Sequence, residues 1–187
     1  SLKATNIDVP SDISSAAFFL VAASICPGAD LMLRHVGVNP TRTGIINILR
    51  LMGADISLSN EKVVGGEPVA DIHVKYAPLK GIHIPEDQVP LAIDEFPSLF
   101  IAATVAEGTT VLSGAEELRV KESDRIQVMA DGLEALGVKT QVKPDGIEIS
   151  KQEMGAGVVD SHGDHRIAMS FAVASLVAKG DITINNC

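Results

Sequence analysis

Three stretches of small and apolar residues along this chain share one order of features. Each stretch begins with an aspartate, continues as an Ala-rich pattern of helical period, reaches a glycine and then alternates as a short strand. They cover residues 12–33, 94–112 and 164–184. The pattern predicts a helix and then a strand in each stretch, with the glycine at the C′ position of the helix in a positive-φ conformation. These glycines are Gly28, Gly108 and Gly180.

A second helical pattern follows the first strand in two of the stretches. It covers residues 42–52 before Gly53, and residues 125–136 before Gly137. Each of these helices is followed by two alternating segments, which predict a pair of strands, and Lys-Pro-Asp-Gly at 143–146 predicts the turn between the second pair. The predicted paired strands are 55–58 with 71–75 and 139–142 with 146–149, and connecting strands are expected near 82–84 and 158–159.

The recurring order indicates an internal repeat of helix, strand, helix, strand and strand. We expect about two full repeats, 12–80 and 82–150, and a partial third, 156–187. The Ala-rich helices are apolar on most faces, which favours their burial inside the domain with the sheets outside. The predicted fold class is α/β (α+β), with buried helices and outer sheets. A generic α+β domain with accidental internal similarity is the alternative.

Composition and charge narrow the classes of function. The chain has 187 residues, of which 46% are hydrophobic and only 3% aromatic, so the expected core is aliphatic. Its formal net charge of -9 argues against a nucleic-acid partner. Its apolar runs are too short and too interrupted to span a membrane. Two cysteines form no disulfide framework and indicate a reducing compartment, so we expect a cytoplasmic protein.

The segment Arg119-Val-Lys-Glu-Ser-Asp-Arg125 concentrates charge immediately before a predicted helix. Ser123 is the expected helix N-cap, which puts Arg125 in the first turn. A cation is disfavoured at the positive end of a helix dipole, so an arginine there suggests a bound anion. Basic residues also stand at the start of the helices after Asp164-His-Arg166 and Thr41-Arg-Thr43. The sequence therefore predicts an anionic ligand at helix N-termini, without showing that these termini converge.

These segments carry a resemblance to the EPSP synthase family. Residues 119–125 match its R-V-K-E-[ST]-D-R signature, and Asp164-His-Arg-Ile-Ala-Met169 matches its D-H-R-[MI]-A-M signature. The D-[IA]-S-S-A block matches at 12–16, where Ser11 stands in place of a common glycine. The resemblance implies one lobe of the enolpyruvyl transferase inside-out α/β barrel. It covers the C-terminal lobe only, 1–187, and leaves the N-terminal lobe outside this sequence.

The resemblance also implies an activity. Members of the family transfer the enolpyruvyl group of phosphoenolpyruvate to the 5-hydroxyl of shikimate 3-phosphate, in a cleft between two lobes. We therefore expect small anionic substrates, the N-terminal lobe as partner, a monomeric enzyme, and neither a cofactor nor a metal. The lobe alone is expected to be inactive, because the cleft then has one wall.

Residue roles follow from the same resemblance. Asp94 matches the aspartate that binds the shikimate ring hydroxyls and serves as base, although its position alone favours a helix cap. Lys121 matches the lysine that contacts the target hydroxyl, and Glu122 the carboxylate of proton transfer to the methylene group. A solvated charged turn is the alternative for both. The remaining matches concern phosphoenolpyruvate, and they are Arg125, Arg166 and His165.

Other residues and families stay open at this point. Asp164 is expected to be a cap or an orienting partner, and neither Glu117 nor Arg42 receives a role in binding. The UDP-N-acetylglucosamine enolpyruvyl transferases share the fold and the donor but lack the paired signatures. A non-catalytic anion-binding module is the alternative from another functional class.

Overall fold

The computed structural model describes residues 3–187 as an arrangement of five α-helices and eight strands. The helices are α1 (Ile13–Ile25), α2 (Gly44–Leu51), α3 (Phe96–Val105), α4 (Arg125–Ala135) and α5 (His165–Ala174). The strands are β1 (Asp30–Gly37), β2 (Asp55–Val64), β3 (Glu67–Lys75), β4 (Thr109–Leu112), β5 (Thr140–Lys143), β6 (Gly146–Ser150), β7 (Gly157–Asp160) and β8 (Ile182–Asn185). Short 3-10 helices cover Pro40–Arg42, Glu86–Gln88, Pro90–Glu95 and Glu116–Val120.

Helices α1, α3 and α5 pack against one another and form the centre of the lobe. Nine of the ten residues of α3 are buried, as are nine of the thirteen of α1. Alanine and other small side chains on these helices allow contact on several sides, as the apolar pattern predicts. Asp12 begins α1 by accepting a hydrogen bond from the Ser15 amide at 3.0 Å. The helical centre is therefore set by small residues and by aspartate caps.

Three sheets surround these helices. Their strand orders are β1-β3-β2, β4-β6-β5 and β7-β8. The first two sheets are antiparallel, whereas β7 and β8 pair in parallel, with Val158 opposite Thr183. Isolated parallel bridges join Ser11 to Val36 and His83 to Val111, so the chain before α1 and before α3 approaches the following strand as β7 approaches β8. This is the α/β lobe of helices inside sheets that the sequence predicts.

The hairpin between β5 and β6 turns at Pro144 and Asp145, and its register pairs Lys143 with Gly146. The predicted turn at 143–146 is confirmed. The predicted strands at 55–58 and 71–75 are real but too short, because β2 and β3 continue to a second hairpin at Gly65 and Gly66. The longer strands carry polar residues such as Asn60 at a shift in register, which obscures the alternation.

Several local predictions are wrong. Residues 82–84 make only the bridge at His83 and no strand, since the chain turns at Pro85 into a 3-10 helix. Arg42 belongs to a separate 3-10 turn before α2, so it is not in the first turn of that helix.

The prediction of C′ glycines holds in part. Gly28 and Gly108 have positive φ but lie two residues after the C-caps Cys26 and Ala106, and Gly180 does not have positive φ. Gly53 and Gly137 directly follow the C-caps of α2 and α4 and have φ of 99° and 84°. In α1 and α3 the C-cap itself is extended, which moves the left-handed residue further along.

Both cysteines, Cys26 and Cys187, are free thiols. Among residues 3–187, no helix combines the length and the apolar character that crossing a membrane requires.

Candidate active site

Arg125 stands at the first position of α4, and its side chain is 0% exposed. The N-cap is Asp124, whose carboxylate accepts the Gln127 amide at 3.0 Å. The prediction of Ser123 as the cap is therefore wrong by one residue. Ser123 instead turns its hydroxyl to Asp164, at 2.9 Å. The shift follows from chemistry, since aspartate is as good an N-cap as serine and the sequence offers both.

Three carboxylates surround the guanidinium of Arg125. Its Nε donates to Oδ2 of Asp164 at 2.8 Å, its Nη1 to Oδ1 of Asp94 at 3.1 Å and its Nη2 to Oε2 of Glu122 at 2.5 Å. Burial alone lowers the pKa of Arg125, but the hydrogen bond and charge of Asp164 outweigh it and raise the pKa, so the group stays charged. In this structure the protein's own carboxylates compensate the cation at the helix start.

Asp164 joins α4 to α5. Its side chain is 0% exposed, and besides Arg125 it accepts the Ser123 hydroxyl and the Arg166 amide, the latter at 3.0 Å as the N-cap of α5. Burial on its own raises the pKa of Asp164, yet hydrogen bonds from Arg125 and Ser123 bring it below its ordinary value. Asp164 is thus both the cap and the orienting partner that the sequence suggests.

Asp94 and Lys121 form a second pair beside Arg125. Oδ1 of Asp94 lies 3.6 Å from Nζ of Lys121, and the Asp94 side chain accepts no backbone amide among the described residues. The interpretation of Asp94 as a mere helix cap is therefore wrong, because the chain before α3 is a 3-10 helix whose end places this side chain toward α4. Lys121 also donates to Glu117 at 2.6 Å, and this bond is the first cause of its raised pKa.

Arg166 approaches the same place from α5. Its Nη1 lies 3.5 Å from the backbone oxygen of Asp94, and no carboxylate among residues 3–187 lies within ion-pair distance of its guanidinium. His165 is exposed, and its ring makes no hydrogen bond within the described part of the chain. Arg166 thus lies beside a cluster of four predicted residues, and His165 lies apart from it at the surface. The four residues of the cluster are Asp94, Lys121, Glu122 and Arg125.

A buried polar network that sequence reasoning missed lies behind Asp94. The Ser14 hydroxyl donates to Oε1 of Glu95 at 2.6 Å, and Nη2 of Arg42 donates to the Ser14 hydroxyl at 2.7 Å. Burial raises the pKa of Glu95, against the opposing effects of the Ser14 bond and the Arg166 charge. The available signal was an acidic pair directly before a proline-started helix, which is equally typical of an exposed first turn. Arg42 thus joins this network through Ser14 and has no contact with Arg125.

The arrangement combines groups of different chemical use. A carboxylate next to an ammonium group, as in Asp94 and Lys121, can remove a proton from a hydroxyl that the lysine orients. The Arg166 guanidinium has donors available to a carboxylate or a phosphate, which its planar fork can bind with two hydrogen bonds. Among residues 3–187, no group of three or more His, Cys, Asp or Glu side chains is arranged to hold a metal ion.

The sequence matches proteins of one family along its whole length. The family model for EPSP synthase (3-phosphoshikimate 1-carboxyvinyltransferase) matches residues 1–187. A 3-phosphoshikimate 1-carboxyvinyltransferase of Nitrosococcus oceani is 65% identical over 187 residues, which are 100% of this chain and 42% of the relative. The protein of that name from Methylococcus capsulatus is 63% identical over 186 residues, covering 100% of this chain and 43% of the relative.

Solved structures agree with this match. An EPSP synthase from Acinetobacter baumannii superposes with a TM-score of 0.96 at 61% identity, covering 99% of this chain and 44% of that one. The enolpyruvyl transferase NikO from Streptomyces tendae gives a TM-score of 0.69 at 17% identity over 93% of this chain and 38% of that one, which shows a shared fold alone. The chain spans less than half the length of these relatives. With its whole length matched by the family model, the chain belongs to the EPSP synthase family.

Proposed function

We propose that this chain supplies the C-terminal lobe of a 3-phosphoshikimate 1-carboxyvinyltransferase of the shikimate pathway. The reaction transfers the enolpyruvyl group of phosphoenolpyruvate to the 5-hydroxyl of shikimate 3-phosphate and releases phosphate. One observation carries the proposal: Asp94, Lys121, Glu122 and Arg125 lie in one ion-paired cluster, and Arg166 borders it. The relatives of this name, at 60% identity or more over nearly the whole chain, support it.

The acceptor side is assigned to Asp94 and Lys121. Lys121 orients the 5-hydroxyl of shikimate 3-phosphate, and Asp94 accepts its proton while the oxygen attacks the substituted carbon of phosphoenolpyruvate. The 3.6 Å separation between Nζ of Lys121 and Oδ1 of Asp94 allows both atoms to reach one hydroxyl.

The donor side is assigned to Arg166, Arg125 and His165. Arg166 has donors available for the phosphate or carboxylate of phosphoenolpyruvate, since it forms no ion pair with the described residues. Arg125 is enclosed by carboxylates, so a ligand oxygen reaches it by replacing one of them. Glu122 is the group that can leave, because its side chain is 59% exposed whereas Asp164 is fully buried.

The remaining proton transfers are assigned to Glu122. Addition requires one proton on the methylene carbon as the carbon–oxygen bond forms. Elimination removes a proton from the resulting methyl group as phosphate leaves. A carboxyl group released from Arg125 by the bound anion is placed to carry these protons, and stabilisation of the charged intermediate falls to the arginines.

The partners follow from the length of the match. Because the chain covers 42% of its relatives, we propose that the substrates bind between this lobe and an N-terminal lobe of the same monomeric enzyme. The lobe alone is proposed to be inactive, because orientation of two substrates requires both walls of the cleft. The two free cysteines agree with a reducing, cytoplasmic location. No cofactor is proposed.

A chimaeric enzyme tests this function. This chain replaces the matching 42% of the Nitrosococcus oceani relative, and phosphate release from phosphoenolpyruvate is measured with shikimate 3-phosphate as acceptor. We expect activity in the chimaera and none in the isolated chain. A folded chimaera that is inactive, or that accepts UDP-N-acetylglucosamine instead, contradicts the proposal. Binding of phosphate without turnover in the chimaera would support the anion-binding module instead.

A further inference from the structure

The segment 114–124, which carries Lys121 and Glu122, is fastened at its start to the turn between β5 and β6. The Gly114 amide donates to Oδ2 of Asp145 at 3.0 Å, and the Ala115 amide donates to the backbone oxygen of Asp145 at 2.7 Å. One residue of the hairpin turn therefore holds the point where the chain leaves β4. The hairpin is itself fixed in the sheet by the register of β6 with β4.

Arg119 fastens the same segment at its middle. Its Nε donates to the Pro144 oxygen at 2.7 Å and its Nη2 to the Lys143 oxygen at 2.5 Å, so one guanidinium binds two successive carbonyls of the turn. Its Nη1 donates to Oδ2 of Asp124 at 2.8 Å. All three nitrogens of the side chain are thus engaged, in a planar fork that lysine cannot reproduce.

The contact with Asp124 closes a short loop. Asp124 uses Oδ1 to cap α4 and Oδ2 to bind Arg119, so the two ends of the loop 120–123 are joined by one ion pair. The first residue of the loop, Val120, ends the 3-10 helix Glu116–Val120 and is 80% exposed, and residues 121–123 have no regular secondary structure. Within it, Lys121 and Glu122 are held by ion pairs with Glu117, Asp94 and Arg125. A ligand that competes for those pairs leaves the Arg119 contacts, together with the hydrogen bond from the Ser123 hydroxyl to Asp164, as the support of the loop.

We propose that Arg119 is a positioning residue, which holds the loop 120–123 against the β5–β6 turn so that Lys121 and Glu122 keep their places when ligand replaces their ion pairs. The mobility of the loop without ligand is independent of what the protein catalyses. The consequence for substrate rests on the proposed function, and it falls on shikimate 3-phosphate, the ligand assigned to Lys121. Arg166 lies on α5, outside the loop, so binding of phosphoenolpyruvate depends less on Arg119.

The first experiment measures loop mobility in the whole 187-residue chain by backbone ¹⁵N relaxation. The variant is Arg119→Lys, and the matched control is Arg50→Lys, which changes an arginine on α2 that donates to the Ile56 backbone oxygen in β2. We expect lower heteronuclear NOE values for residues 120–123 in Arg119→Lys and unchanged values in the control. Equal mobility of the loop in parent and Arg119→Lys overturns the proposal.

A second variant keeps the test decisive if Arg119→Lys does not fold. Asp124→Asn keeps an acceptor for the Gln127 amide but removes the charge that Arg119 binds, and we expect the same direction with a smaller amplitude. If Arg119→Lys fails to fold, unchanged mobility in Asp124→Asn overturns the proposal by itself.

The third experiment measures dissociation constants in the chimaera. Loss of a hydrogen bond to a charged group corresponds to about a tenfold change in affinity. We expect Arg119→Lys to weaken the binding of shikimate 3-phosphate by about that factor. The binding of phosphoenolpyruvate should weaken clearly less. An equal loss of affinity for both ligands shows a general loss of structure and contradicts the positioning role. If the unmodified chimaera binds neither ligand, the proposed function fails while the mobility result still decides the role of Arg119.

Discussion

At the scale of single residues, the site is organised by one buried cation and its three acidic neighbours. The family resemblance identifies Asp94, Glu122 and Arg125 as candidates, but it says nothing of how those side chains pair with each other. Pairing depends on which residues the 3-10 turn before α3 and the first turn of α4 bring together. Sequence reasoning therefore predicts which residues form the cluster, but not the hydrogen bonds and ion pairs between them. It also missed Glu95, because a buried glutamate and an exposed one look the same in a first-turn pattern.

Asp94 and Asp164 both bind Arg125, but we expect substitution of Asp94 to affect mainly catalysis and substitution of Asp164 to affect mainly stability. In the chimaera, Asp94→Asn removes the proposed base and should lower kcat by about 10²–10⁴-fold. Its stability should change little, because Arg125 retains Glu122 and Asp164. Asp164→Asn leaves buried donors of Arg125 and Ser123 poorly matched and should cost about 1–3 kcal/mol of the free energy of unfolding. Steady-state rates and urea denaturation of both variants test this, and an Asp94→Asn enzyme with full kcat would refute the assignment.

Glu95 and Asp164 should give opposite dependence of stability on pH. Burial raises the pKa of Glu95 above its ordinary 4.5, so its contribution to stability is complete below that value and is lost as pH rises through the folded pKa. The pKa of Asp164 is lowered from 3.8, so its contribution is present above 3.8 and is lost as pH falls through the folded pKa.

The test compares parent and Glu95→Gln by urea denaturation between about pH 4 and pH 8. Glutamine keeps an oxygen for the Ser14 hydroxyl but does not ionise, so we expect the variant to gain stability relative to the parent as pH rises. Asp94 on the same 3-10 helix, and Arg42 and Arg166 on other elements, also face Glu95, and all three are present in both proteins. A difference that is constant across this range would show that the pKa of Glu95 is the same in the folded and unfolded states, which contradicts the raised value.

At the scale of elements, apolar periodicity predicts all five helices, and the errors lie at their ends. Caps are chosen among neighbouring residues of similar capping ability, as with Ser123 and Asp124, so one-residue shifts are expected from sequence. The segment 82–84 failed for another reason. Its alternation is that of a strand, but it forms only one bridge, in which Ile82 and Ile84 bond to Val111 opposite His83, before Pro85 redirects the chain. Close packing between helices is likewise invisible in a periodic pattern.

Gly132 in α4 provides a test of that packing. A Cβ at this position would lie 2.3 Å from Cζ of Phe171 on α5. Gly132→Ala should gain about 1 kcal/mol in helix propensity, yet overpacking of this kind costs about 1–3 kcal/mol. We therefore expect net destabilisation by thermal or urea unfolding. Glu134→Ala on the exposed face of the same helix serves as control, and equal or greater stability of Gly132→Ala would show that Phe171 moves aside freely.

At the scale of the whole molecule, candidate site residues far apart in sequence meet because the starts of three helices lie close together. Helices α3, α4 and α5 begin near a common place. Asp94 comes from the 3-10 helix before α3, whereas Arg125 and Arg166 lie in the first turns of α4 and α5. The order of elements predicts the inner helices and outer sheets, but not that these helix starts converge. Convergence depends on how the helices pack, and small residues allow several arrangements of similar energy. The family resemblance, rather than the repeat, carries the expectation of a common site.

The parallel pair β7–β8 has a consequence for association between molecules. Strand β1 in the first sheet and strand β4 in the second each make a parallel bridge on one side. On the other side, each has an antiparallel neighbour, which is β3 or β6. Within the described residues, β8 has no such neighbour, so a row of its amide and carbonyl groups faces outward. Strand edges of this kind recruit further strands. We expect fast amide exchange at Ile182 and Ile184, whose amides lie on the side away from β7, and concentration-dependent self-association in light scattering. Both should be reduced when Ile182→Pro removes one outward donor at the first residue of the strand.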